Sequence, residues 1–134
     1  LPSDDLADCR ITEEFTMERF WWWPFGRVPE IAAQELYSLL QDRERAPLIL
    51  DVRTHLEWTS SRIPGAINVP VTELSGALAS LGLERNRPVV AICLSAHRSI
   101  PAVRLLQENG IRNIRQLQGG MRAWWKAGLP VEKG

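Results

Sequence analysis

The sequence predicts an α/β domain built on a mostly parallel sheet with helices on both faces, and three observations carry that expectation. Short apolar runs recur from about Val28 onward. Amphipathic stretches of helical period separate them, and glycine, proline or charged clusters close each stretch. Strands joined by helices pair in parallel through right-handed crossovers, which is the architecture this alternation favours.

Taken in order, Ala32 to Gln41 reads as a helix, because Leu36, Leu39 and Leu40 form one apolar stripe, although no good N-cap precedes it. Leu48-Ile49-Leu50-Asp51-Val52 reads as a buried strand. His55 to Ser61 makes a short helix, and Ile63-Pro64-Gly65 turns the chain into the strand Ala66-Ile67-Asn68-Val69. Thr72 to Leu81 follows as a helix with Thr72 as its N-cap. Val89-Val90-Ala91-Ile92 is the next buried strand. The helix Ile100 to Asn109 has Ser99 as cap, Pro101 near its first turn and Gly110 at its left-handed end. Ile111 to Leu117 contains a strand, and Gly120 to Lys126 a last short helix closed by Gly128.

The chain's 134 residues suffice for one domain with a sizeable core, which the pattern places over 28–134. Residues 1–27 do not share the rhythm and form an N-terminal extension. Ile11 to Trp23 suits a helix broken by Pro24, and the run Phe20-Trp21-Trp22-Trp23-Pro24-Phe25 is dense in aromatic surface. Three readings stay open for it: packing on the main domain, contact with a second copy or a protein partner, and contact with a membrane surface.

Lysine plus arginine and aspartate plus glutamate balance at 16 each, so no global field draws in nucleic acid or an anionic membrane. Two cysteines far apart and two histidines, His55 and His97, offer no metal-ligand spacing, and neither a metal nor a cofactor is expected. The sequence opens on Leu1, and its acidic start, with Asp4, Asp5 and Asp8, lacks a signal peptide's composition. No apolar run approaches a membrane span. A free central cysteine suits a reducing, cytoplasmic setting.

The chemistry concentrates in Cys93-Leu94-Ser95-Ala96-His97-Arg98-Ser99. A cysteine closing an apolar strand is by itself often only a small buried hydrophobe. Here a guanidinium stands five positions on, two serines flank the loop, and a helix begins behind it. Helical amides and Arg98 aimed at the sulfur would favour thiolate over thiol, which makes Cys93 a candidate nucleophile. In an open parallel sheet, sites lie beyond the carboxyl ends of the strands, where Cys93 falls.

Four motifs in order resemble the rhodanese homology domain, a sulfurtransferase family. They are Leu50-Asp51-Val52-Arg53, Ile63-Pro64-Gly65-Ala66-Ile67-Asn68-Val69-Pro70, the cysteine loop, and Gly119-Gly120-Met121-Arg122-Ala123-Trp124 through Ala127-Gly128-Leu129-Pro130-Val131. The resemblance implies a rhodanese-like fold with a five-stranded sheet and a persulfide mechanism. Cys93 would take sulfane sulfur from thiosulfate or a persulfide donor and pass it to a thiol, cyanide or a protein acceptor. Arg98 and the loop amides would bind an anionic donor, Ser95 and Ser99 would add hydroxyls, and Leu94, Ala96 and His97 would line the rim. A catalytically weak binding or regulatory module on the same fold is the alternative, with contact through Phe20, Trp21, Trp22, Trp23 and Phe25. Phosphatase or arsenate reductase chemistry comes third, since such relatives place one residue more between cysteine and arginine than the four found here.

Two departures from the family pattern stand out. Ala96 occupies a position where relatives carry glycine, and a positive φ there costs an alanine roughly 1–2 kcal/mol. Ser61-Arg62 replaces a Gly-His pair and brings a cation to that turn. Asp51 and Arg53 read as a structural ion pair. His55 and Glu57 are expected to face solvent or the neighbouring loop, and His97 to be a solvated loop residue with a minor role near the persulfide. Cys9, the other thiol, is a candidate resolving cysteine for Cys93 and otherwise an incidental tail residue.

Overall fold

The computed structural model describes residues 28–134. In chain order the elements are β1 (Glu30–Ile31), α1 (Ala33–Leu40), β2 (Leu48–Asp51), α2 (His55–Ser60), β3 (Ile67–Asn68), a 3-10 turn (Val71–Glu73), α3 (Leu74–Leu81), β4 (Val89–Ile92), α4 (Ser99–Glu108), β5 (Ile114–Leu117) and α5 (Gly120–Lys126). The strands form one five-stranded sheet in the order β1-β5-β4-β2-β3, with every neighbouring pair parallel. The expected α/β class and sheet are present. Cys9, the helix expected over Ile11 to Trp23 and the aromatic run from Phe20 to Phe25 lie outside the described residues. Among the described residues no helix is long and apolar enough to cross a membrane.

Strand alternation divides the core. Leu50 of one strand and Val52 just past its end, Val89 and Ala91 of the next, and Cys93 just beyond it face α3 and α4, where Leu74, Ala102, Val103 and Leu106 pack on them. Ile49, Val90, Ile92 and Leu117 point the other way, against Leu36 of α1 and Met121 and Trp124 of α5. All four residues of β4 are buried, as a central parallel strand with helices on both sides requires.

Some element boundaries are decided by backbone groups that find other partners. Thr72 does not cap a helix: the Glu73 amide donates to the Pro70 carbonyl at 2.8 Å, closing a 3-10 turn, and the α-helix begins at Leu74 without a side-chain cap. The short strand expected within Ile111 to Leu117 is present as Ile114–Leu117, starting there because the Ile111 and Arg112 amides are taken by the Leu106 and Arg85 carbonyls. The opening strand, Glu30–Ile31, is too short to show any period, and its pairing with Gln116 and Leu117 defines it.

Trp124 joins the second core to the chain's end. It is 1% exposed, its indole N–H donates to the Pro130 carbonyl at 2.8 Å, and Tyr37 meets it edge-on with centroids 6.3 Å apart. Trp124→Ala should cost about 3–5 kcal/mol, a large share of the roughly 5–15 kcal/mol that holds a domain folded. Urea unfolding of the two proteins, compared at constant m-value, measures that loss.

Candidate active site

The sheet places Cys93 where its strand order changes direction. From β4 the chain crosses to β5 on one side, whereas from β2 it crosses to β3 on the other, so the carboxyl ends of β2 and β4 border the crevice in which sites of open α/β sheets lie. The end of β2 contributes Asp51, Arg53 and, through α2, Glu57. The end of β4 contributes Cys93 and the loop that follows it.

That loop is held from behind by the start of α5. The Met121 amide donates to the Cys93 carbonyl at 2.8 Å and the Arg122 amide to the Leu94 carbonyl at 3.1 Å. Gly120 makes this close approach possible: its φ is +61°, and a Cβ there would run into the carbonyl groups of Cys93 and Leu94. Ala96 is the one non-glycine residue with positive φ among the described residues, at +78°. The glycine that the family resemblance implies at this position therefore answers to a conformational demand, which this chain meets with a strained alanine. The amides of Ser95, Ala96, His97 and Arg98 have no hydrogen-bond acceptor among the described residues. Successive amides around a left-handed residue are the arrangement that forms anion-binding nests.

Arg98 does not lie open to a ligand. Its Nη1 donates to Glu57 Oε1 at 2.7 Å and its Nη2 to Oε2 at 2.9 Å, a bidentate pair that is about a third exposed on each side. Glu57 is itself locked, being the third residue of a capping box: its carboxylate accepts from the Thr54 amide and hydroxyl, while the Thr54 hydroxyl accepts from the Glu57 amide. The Arg98 hydrogen bond is the main reason the Glu57 carboxyl falls from 4.5 to about 2, and the same bond raises the guanidinium further. Glu57 thus faces the neighbouring loop, bonded to the residue expected to meet the donor.

Asp51 and Arg53 form a buried bidentate pair, Nε to Oδ1 at 3.0 Å and Nη2 to Oδ2 at 2.8 Å, at 0% and 1% exposure. Arg53 Nη2 also donates to the Ser61 carbonyl at 2.7 Å, which anchors the far end of α2. The cation brought by Arg62 settles over the Trp58 ring, 4.2 Å from its centroid, and beside Glu132. His55 stacks on Trp58 with ring centroids 5.6 Å apart, and its Nδ1 meets Asn68 Oδ1 at 3.3 Å. In the cysteine loop, His97 is exposed and its Nδ1 lies 3.2 Å from Ser95 Oγ, while Leu94 is half-buried.

Ser99 departs from its expected place. It is the first residue of α4, not the cap, and makes no capping bond; Arg98 precedes the helix in helical backbone geometry. The hydroxyl turns inward because Ser99 is fully buried and two partners stand beneath it: Cys93 Sγ at 3.4 Å and Gln116 Oε1 at 2.6 Å. Gln116 continues the series to Glu30 Oε2 at 2.8 Å. Neither Gln116 nor Glu30 is among the expected site residues. The available signal is a glutamine sharing the inner face of β5 with Ile114, a polar side chain where period two demands a buried one.

Two predictions follow from this geometry. Ala96→Gly should raise stability by up to about 1 kcal/mol, the left-handed strain of alanine exceeding the extra unfolded-state entropy of glycine, seen as a thermal midpoint a few degrees higher. The Glu57–Arg98 pair should stabilise the protein fully above the ordinary carboxyl value of 4.5 and lose that contribution as pH falls through about 2, since the folded-state carboxyl is depressed. The difference in unfolding free energy between the parent and Glu57→Gln, followed across that range, should shrink toward zero at the acid end.

Comparison with known proteins agrees with this architecture. A family model described as the rhodanese-like domain matches residues 32–127. The chain is 42% identical over 100 residues to the HTH-type transcriptional regulator Rv0324 of Mycobacterium tuberculosis, covering 72% of this chain but 43% of that protein's length. It is 33% identical over 104 residues to a sulfurtransferase of Allochromatium vinosum, covering 78% of this chain and 94% of the relative. Among solved structures, a thiosulfate sulfurtransferase of Pseudomonas aeruginosa superposes with a TM-score of 0.70 at 32% identity, over 80% of this chain and 20% of that one. Five parallel strands in this order, a cysteine loop at their carboxyl ends and a family match across the same residues make the chain a member of the rhodanese-like domain family.

Proposed function

We propose that this domain is a sulfurtransferase in which Cys93 carries sulfane sulfur as a persulfide, taken from thiosulfate or a persulfide donor. The observation that carries the reading is a cysteine at the carboxyl end of the central strand, beneath a loop whose amides have no acceptor among the described residues. The names of the sulfurtransferase relatives support the general class.

With thiosulfate as donor, the Cys93 sulfur as thiolate attacks the outer sulfur. The bond between that sulfur and the sulfonate sulfur breaks, and sulfite leaves with the bonding pair. The loop amides, aimed at the charge developing on the departing group, stabilise it. An acceptor thiolate or cyanide then attacks the outer sulfur of the Cys93 persulfide, and the Cys93 thiolate is restored. Sulfur moves without external oxidant or reductant, so two displacements sharing one covalent intermediate suffice. Arg98 contributes to anion binding to the extent that a donor draws it from Glu57. Four residues separate Cys93 from Arg98, one fewer than the resemblance implies for phosphatases and arsenate reductases, and phosphoryl chemistry ranks below sulfur transfer for that reason.

Intact-mass measurement tests the proposal. Incubation with thiosulfate should add about 32 Da, an increment removed by cyanide and not formed by Cys93→Ser. Absence of the adduct after exposure to both thiosulfate and a low-molecular-weight persulfide would overturn it.

A further inference from the structure

We infer that Gln116 and Glu30 are positioning residues that act on Cys93 through Ser99, fixing the Ser99 hydroxyl as a hydrogen-bond acceptor toward the sulfur. The inference rests on Cys93 being the sulfur-carrying nucleophile.

The direction of the bonds follows from one end of the chain. A carboxylate only accepts, so the group that Gln116 presents to Glu30 Oε2 at 2.8 Å must be its amide NH2. The amide oxygen then points to Ser99, whose hydroxyl donates to it at 2.6 Å. Having committed its proton to Gln116, Ser99 turns a lone pair toward Cys93 Sγ, 3.4 Å away. The Cys93 S–H therefore has an acceptor, whereas a thiolate receives no hydrogen bond from Ser99. Turning the Gln116 amide over would face its oxygen against the carboxylate of Glu30, and Gln116, 4% exposed, has no room to seek water instead. Sheet register makes the arrangement rigid: Gln116 lies opposite Glu30 on one side and Ala91 on the other, two residues before Cys93.

The charged and titratable groups around the cysteine are Asp51, Arg53 and Glu57 from the β2 side, His97 and Arg98 from the loop, Arg122 from α5, and Glu30 itself. Asp51 is bonded to Arg53 and Glu57 to Arg98, and these pairs are untouched by changes at Glu30 or Gln116. Shifts between such variants consequently report on the series of hydrogen bonds. Its effect is that the sulfur meets an acceptor, not a donor, in Ser99.

The test is the rate of Cys93 alkylation by iodoacetamide as a function of pH, read on the Cys93 peptide by mass spectrometry in the full chain. In Gln116→Leu the freed Ser99 hydroxyl can donate to the sulfur, and the midpoint should move down by about one pH unit, a tenfold faster reaction below it, the size of one hydrogen bond to a charged group. Glu30→Gln should shift it the same way, because the Gln116 amide can then turn. Combining Glu30→Gln with Gln116→Leu should add nothing to Gln116→Leu alone. A direct effect of the Glu30 charge on the sulfur would persist in that double variant, and finding it there overturns the inference. So does a midpoint in Gln116→Leu that is unchanged or higher. If Gln116→Leu does not fold, Ser99→Ala with and without Glu30→Gln makes the same comparison, and an undiminished Glu30→Gln shift in that background is equally fatal. Failure of the sulfur-transfer reading would show separately, as loss of the 32 Da adduct with the alkylation profile intact.

Discussion

Burial of β4 on both faces and along both edges governs the arrangement of the site. With β5 and β2 hydrogen-bonded to its flanks and helices over each face, Val89–Ile92 cannot shift without breaking two ladders and two packed cores. Cys93 is the next residue. Its position is therefore inherited from the least movable segment of the domain, and α5 fixes the backbone that follows by holding the Cys93 and Leu94 carbonyls. Catalytic groups are held most precisely when regular elements present them. Here one strand end supplies the sulfur, and two helices fix the loop around it.

Charge at this end of the sheet is organised in closed pairs. Asp51 and Arg53 satisfy each other in the interior, where either one alone would carry a large desolvation penalty. Glu57 and Arg98 do the same at the rim, with α2's capping box as the shared anchor. The cationic residue of the loop is consequently neutralised before any ligand arrives, and backbone amides are left as the principal attraction for an anion. This division separates what orders the loop from what would meet the proposed donor.

Much of the architecture was legible in the sequence because it depends on local pattern. Runs such as Val89–Ile92 and Leu48–Asp51 announce buried strands by composition alone, and Gly110 and Gly128 mark helix ends by their left-handed geometry. The left-handed demand at Ala96 was legible too, through the contrast with glycine in the family pattern. What could not be read depends on contacts across the sheet. The two-residue strand β1 has no period of its own, and the inward turn of Ser99 is decided by Gln116, which is distant in sequence. Likewise the Arg98 to Glu57 bond joins the cysteine loop to α2, which only the strand order brings together. The placement of Thr72 in a 3-10 turn reflects competition for backbone acceptors, to which side-chain preference is blind.

The alanine at position 96 has a consequence for motion as well as for strain. Glycine at a turn samples left- and right-handed backbone almost equally, so a loop built on it opens and recloses through several shapes. A methyl group removes many of those shapes, and Ala96 also packs its side chain against the first core. The energy stored in one dihedral thus narrows the ensemble of the whole loop, and the cysteine is offered to its partner in a form that needs little further ordering on binding.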